Sequence, residues 1–185
     1  MNKFVLGIFV DEVINQCDFA LISWESLQTC LLKLEKLNYI RIFCHIQAFL
    51  VAVANISKIL FPTDEKSTTR GEELRRLLQV PMNSPIEDRN IRNVFEHYDE
   101  RIESWASSSK KKRRALNISD LNLSIGGFSA IPRLDPIECM RNLDFSRGRE
   151  LLKLTFRDRT YNLTVAKDAV TELQEKARKL RPSLF

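Results

Sequence analysis

Before Pro62 the chain contains no proline and a single glycine, Gly7, so little in residues 1–61 can interrupt regular structure. The apolar residues of this stretch recur at helical spacing. A first helix is expected over residues 3–16. A second, capped by Ser23, runs to about residue 37 with Leu27, Leu31, Leu34 and Leu37 on one stripe. A third covers residues 39–60 and buries Phe43, Ile46, Phe49, Leu50 and Val53. Asn38 is a weak break, so fusion of the second and third is the alternative. The whole chain of 185 residues has only 5 Gly and 6 Pro, and the expectation is a mainly α fold.

Residues 63–69 read as a polar loop and residues 71–79 as a short helix. A loop with Pro81, Asn83, Ser84 and Pro85 then leads into a long helix over residues 86–106. Ser84 or the pair Glu87-Asp88 suits its N-terminal end. Three serines, 107–109, and five cations, Lys110 to Arg114, mark a change of composition. Solvation near a helix C-terminus accounts for the cations, and a strip that grips RNA is the alternative. Alternation returns over residues 117–128. Residues 152–156 and 161–165 have the pattern of a β-hairpin joined near Asp158-Arg159, and a final helix spans residues 167–180. The expected organisation is a helical bundle over residues 1–109. A basic linker with a small hairpin-and-helix appendage, packed on the bundle, follows over residues 110–185.

The chain is 44% hydrophobic and 29% charged, a globular composition. Its net charge of +5 permits contact with a polyanion without requiring it. Cys17, Cys30, Cys44 and Cys139 lack a CxxC spacing, and the first three fall in apolar helical stretches. They read as buried reduced thiols of a cytoplasmic protein, with a disulfide between two helices as the counter-reading. Residues 1–10 faintly imitate a signal peptide, but Asp11 and Glu12 follow at once without a small-residue cleavage pattern. The most apolar later run, residues 46–54, is short of the ~20 residues that cross a bilayer. No membrane association is expected. No Gly-rich phosphate loop and no metal-ligand spacing is present, so neither a cofactor nor a metal is expected.

The helix over residues 86–106 carries the candidate chemistry. At about 100° per residue, Ile91, Val94, Phe95, Tyr98, Ile102 and Trp105 share an apolar stripe. Asn93, Glu96, His97, Glu100 and Ser104 occupy the opposite face. Asn93 and His97 are neighbours four residues apart, whereas Arg92 lies roughly 140° from His97. Arg92 must curl round the helix or meet the histidine of a second molecule, which a two-fold dimer provides. Metal-free RNA cleavage needs a base for the 2′-hydroxyl and a cation for the phosphorane. Histidine and arginine supply these, and Asn93 is placed to orient the imidazole or bond a phosphate oxygen. The plain alternative is an exposed Arg92–Glu96 ion pair beside a solvated histidine. Arg89 and Arg101 on the same helix, with Asn55 and Lys58 at the end of the third helix, are candidate substrate contacts. Helix-end packing for Asn55 and simple solvation for Lys58 are their alternatives, and His45 reads as a structural residue of the third helix.

The string Arg92-Asn93-Val94-Phe95-Glu96-His97 resembles the Arg-Asn-x-x-x-His signature of the HEPN superfamily. Its surroundings are similar to an uncharacterised bacterial branch: Ser84-Pro85-Ile86 and the run 89–105, residues 54–62, Arg70-Gly71-Glu72-Glu73-Leu74, and the hairpin near residues 156–165. The resemblance implies a bundle of four or five helices that dimerises with its motif helices facing a cleft. It also implies a metal-independent endoribonuclease of a toxin–antitoxin, phage-defence or RNA-processing system. Arg92 then binds the phosphate, Asn93 is the polar residue after the arginine, and His97 is the catalytic base or acid. The implied partners are a second copy, RNA and an antitoxin protein. In toxins paired with a nucleotidyltransferase antitoxin the motif often continues His-x-Tyr. Here Tyr98 follows His97 directly and Asp99 holds the later position, which argues against regulation through that tyrosine. Glu96, Asp99, Glu100 and Glu103 make the face acidic and oppose a polyanion. A catalytically inert HEPN scaffold binding RNA, a nucleotide or a protein is the competing expectation, and a purely structural dimerisation partner is a third.

Overall fold

The computed structural model describes residues 2–32, 39–88, 121–125, 128–130, 152–156 and 159–185. Among these are the helices α1 (Lys3–Leu32), α2 (Tyr39–Leu60), α3 (Glu65–Leu77) and α4 (Leu163–Leu180). The strands are β1 (Leu121–Ile125), β2 (Phe128–Ala130), β3 (Leu152–Phe156) and β4 (Arg159–Asn162), and single 3-10 turns occupy Pro85–Glu87 and Arg181–Ser183. The described chain is mainly helical with a small antiparallel sheet. It forms two compact units, residues 1–89 with 165–185 and residues 90–164. The terminal helix therefore groups with the three N-terminal helices and not with the strands before it.

The first and second expected helices are one element. Ser23 does not cap a new helix: its hydroxyl donates to the Phe19 carbonyl at 2.8 Å, a bond made inside a continuing helix. Leu6, Val10, Val13, Cys17, Ala20, Trp24, Leu27 and Leu31 are buried at three- and four-residue intervals over the whole of α1. Against them α2 sets Ile42, Ile46, Phe49, Leu50, Val53, Ile56 and Leu60. Trp24 meets Phe49 at 5.7 Å between ring centroids, while Gln16 meets Asn55, so the two helices run antiparallel. Phe43, expected in this core, is half-buried because Ile42 holds the stripe position. Leu34 and Leu37 lie outside the described residues.

Residues 41–60 of α2 are long and apolar enough, by length and composition, to cross a membrane, more than the run 46–54 suggested. Its buried stripe faces α1, and Arg41, Gln47 and Lys58 stand on the exposed side, which is the pattern of a core helix.

The helix expected over residues 71–79 begins at Glu65. Asp64 caps it, accepting from the Ser67 backbone N–H at 2.9 Å. Gly71 is buried where α3 crosses the end of α2, and a Cβ there would sit 2.4 Å from Pro62 Cδ and 2.9 Å from the Leu60 carbonyl oxygen. The C-terminus of α3 closes as a Schellman turn. Val80 N–H bonds the Arg75 carbonyl at 2.9 Å, and Gln79, at φ 52°, bonds that of Arg76 at 3.4 Å. Ser84 caps only the 3-10 turn, and Asp88 is extended, so no helix runs unbroken from residue 86.

Helix α4 packs antiparallel to α1. Arg178 donates to Asp18 at 2.7 Å, Gln174 donates to the same carboxylate, and Arg181 bonds Asp11. Lys176 donates to the Gln79 carbonyl at 3.0 Å, joining α4 to the end of α3. Beyond α4 the Phe185 ring covers Gly7 and meets Phe4 edge-on at 6.2 Å.

In the other unit the strand order is β2-β1-β3-β4, every pair antiparallel. The expected hairpin is β3–β4, and the alternating stretch over residues 117–128 supplies β1, with β2 beginning at its last residue. Leu154 and Tyr161 are cross-strand partners and both are buried. Strand β4 ends at Asn162, and helix begins four residues earlier than expected. Thr164 in its first turn accepts from the Leu152 backbone N–H at 2.8 Å.

Two substitutions test this account. Gly71→Ala, which at an open helix site gains about 1 kcal/mol, is expected to lower stability by about 1–3 kcal/mol in urea denaturation, because Pro62 and the Leu60 carbonyl must shift. Gln79→Gly is expected to raise stability by up to about 1 kcal/mol, since only the left-handed backbone is relieved.

Candidate functional site

Arg89, Arg92, Asn93, His97 and Arg101 lie outside the described residues, as do the cations 110–114. Of the residues assigned to the site from sequence, Asn55 and Lys58 are described, both near the C-terminal end of α2. They do not share an environment. Asn55 is half-buried, and its amide donates to Gln16 Oε1 at 3.2 Å. Gln16 in turn donates to Glu12 at 2.7 Å, so a polar ladder Glu12–Gln16–Asn55 ties α1 to α2. This is the helix-packing role. Lys58 is exposed in the last turn of α2, where a cation also favours the helix dipole.

The cysteines are sorted by helix face. Cys17, Cys30 and Cys44 are free thiols, so no disulfide joins these helices. Only Cys17 is fully buried. Cys30 is half-buried and Cys44 exposed, which corrects the expectation that all three are core residues. Position 44 falls on the side of α2 turned away from Ile42, Ile46 and Phe49. Burial pushes the Cys17 thiol up to about 12, Asp18 adds to the shift and Arg178 opposes it. Cys17 is therefore a packing residue that stays protonated, not a nucleophile. His45, on α2, is half-buried.

A groove of about 590 Å³ opens between the end of α3, the loop of residues 79–86 and α4. Its lining includes the buried Ile86 and Leu173 with Val80 and Pro81, and Arg75, Arg76 and Lys176 line it as well. Two of these cations serve the fold. Arg75 donates to the Leu60 carbonyl and lies 5.0 Å from the Phe61 ring centre, while Lys176 pairs with Glu172 at 2.6 Å. Among the described residues no group of His, Cys, Asp and Glu side chains is arranged to hold a metal ion.

The sequence reading did not find the α1–α4 ion pairs. Asp11 and Asp18 meet Arg181 and Arg178 across 170 and 160 residues, and no local pattern announces such a pairing. The chain matches no protein-family model, no curated protein and no solved structure.

Three measurements follow from these placements. In native protein at pH 8, Cys44 is expected to react with iodoacetamide while Cys17 stays unmodified. The raised Cys17 pKa favours the folded state up to about pH 9, the ordinary value, and that contribution is lost as pH rises towards 12. Alkaline unfolding of Cys17→Ala should accordingly be less steep. Asn55→Ala is expected to cost less than about 1 kcal/mol, the lost amide bond being partly offset by alanine's helix propensity.

Proposed function

We propose that this chain is a HEPN-like protein acting as a metal-independent endoribonuclease. Arg92 and His97 converge at the cleft of a homodimer, in a toxin or defence role restrained by a partner protein. One observation carries the reading: Arg92-Asn93-x-x-x-His97 on a strongly amphipathic segment, in a chain whose described part is dominated by long antiparallel helices. In this scheme His97 takes the 2′-hydroxyl proton, and the planar guanidinium of Arg92 holds the phosphate and its developing charge. Asn93, four residues before His97 in sequence, orients the imidazole or bonds a phosphate oxygen. Arg89 and Arg101, close to the motif in sequence, extend the phosphate track, and the cytoplasm is the compartment where RNA and free thiols both occur.

The acidic residues Glu96, Asp99, Glu100 and Glu103 favour a second reading, a HEPN-like scaffold without catalysis that binds RNA, a nucleotide or a protein. The two readings part on one assay. Wild type in EDTA is expected to degrade single-stranded RNA, with His97→Ala slower by roughly 10²–10⁴-fold. Arg92→Lys should recover little, because an ammonium cannot replace the fork. Equal behaviour of wild type and His97→Ala would leave only the scaffold.

A further inference from the structure

Helix α1 is apolar on two opposite faces. Opposite the buried stripe, Phe4, Ile8, Phe19 and Ile22 are 60, 50, 56 and 60% exposed. At about 100° per residue these four and Asn15 fall within roughly 60° of one another. Nothing in the folding of the helical unit requires large apolar side chains there, and monomeric proteins seldom line up so many on one exposed face. Phe185, 65% exposed and in edge contact with Phe4, extends the patch at one end.

The stripe is nearly symmetric about a point in the N-terminal half of α1. The midpoint of Ile8 and Phe19 is position 13.5, and that of Phe4 and Ile22 is position 13. A two-fold interface demands this self-complementarity, since each residue meets its mirror position on an identical surface. We infer that this face of α1 pairs antiparallel with the same face of a second copy. Ile8 then packs on the partner's Phe19, Phe4 on the partner's Ile22, and Glu12 and Asn15 meet near the axis.

Two of the three carboxylates beside the stripe are neutralised within the protomer. Asp11 and Asp18, which border the stripe, are already bonded to Arg181 and Arg178 of their own protomer. Glu12 is held by Gln16 at 2.7 Å and Asn15 at 3.4 Å. Area also suffices. At ~200 Å² per large apolar side chain, the four exposed residues remove roughly 900 Å² from water over both copies. Phe185 and the intervening polar residues bring this to the ~1,200 Å² at which stable interfaces begin. The inference uses none of the residues of the nuclease reading, which itself needs a dimer: a dimer that survives double substitution of Ile8 and Phe19 overturns this inference and leaves that reading intact.

Mass and geometry test it together, with no cleavage assay involved. At about 10 µM, sedimentation is expected to give twice the 21.5 kDa chain mass. Ile8→Glu with Phe19→Glu, and the uncharged pair Ile8→Gln with Phe19→Gln, should weaken the dimer at least tenfold while circular dichroism stays unchanged. With Cys30, Cys44 and Cys139 replaced by alanine, a nitroxide on Asn15→Cys should lie within roughly 10 Å of its copy. A nitroxide on Lys3→Cys should lie more than about 30 Å from its copy, from the helical rise. A monomer overturns the inference, and one that sediments with phosphatidylglycerol vesicles gives the face to a membrane instead. A dimer that survives both double substitutions, or one whose labels at position 3 are the closer pair, overturns it as well.

Discussion

The helical unit depends on α1 as a common wall. Its inner stripe receives α2 through Trp24 and Phe49. The Arg70 guanidinium of α3 lies 4.6 Å from the Phe9 ring centre, and α4 is fixed through Asp11 and Asp18. A helix of 30 residues is roughly 45 Å long, enough to offer each neighbour a separate length of surface. Apolar burial against α2 supplies most of the stabilisation, at about 1.5–3 kcal/mol for each large side chain removed from water. The exposed ion pairs Asp18–Arg178 and Asp11–Arg181 are screened by solvent, and they matter more for register than for energy.

Polar groups specify where the apolar faces alone would slide. The Glu12–Gln16–Asn55 ladder sets α2 against α1 at one height. Asp18 gathers Gln174 and Arg178, one turn apart on α4, and so sets the last helix at another. At the junction of α2 and α3 the close approach needs Gly71, and Arg75 reaches back to cap the Leu60 carbonyl. These contacts explain why α3 sits where it does despite burying only Gly71 and Leu74 fully within its own span.

Much of this was legible in the residues. Spacing gave the α2 core and the helix that precedes Pro62, and alternation gave the β3–β4 pair. What failed locally failed for physical reasons. Ser23 has the chemistry of a cap, but the apolar stripe on both sides of it keeps the helix going, and its hydroxyl turns back to Phe19. Asp64 is a strong N-cap type, but the six residues after it are polar and show no apolar helical stripe, so the local pattern reads as loop. Tyr161 to Val165 suits a strand by composition, yet Leu163, Ala166 and Val170 are buried at helical spacing and override it. For the site, the sequence reached the chemistry of Asn55 and Lys58 only as types. The bond of Asn55 to Gln16 joins positions 39 residues apart, beyond any local pattern. Arg92, Asn93 and His97 stand on their motif and lie outside the described residues.

The helical unit is assembled from both ends of this chain, with residues 90–164 forming the other unit between them. During synthesis, α1, α2 and α3 emerge well before α4 exists. At ~5–20 residues per second, roughly 4–15 s pass while the intervening segment is made. Throughout that interval Asp11 and Asp18 lack their arginines. A nascent chain of this kind presents its least finished surface to chaperones for seconds, and premature termination inside the second unit would strand three helices without their fourth.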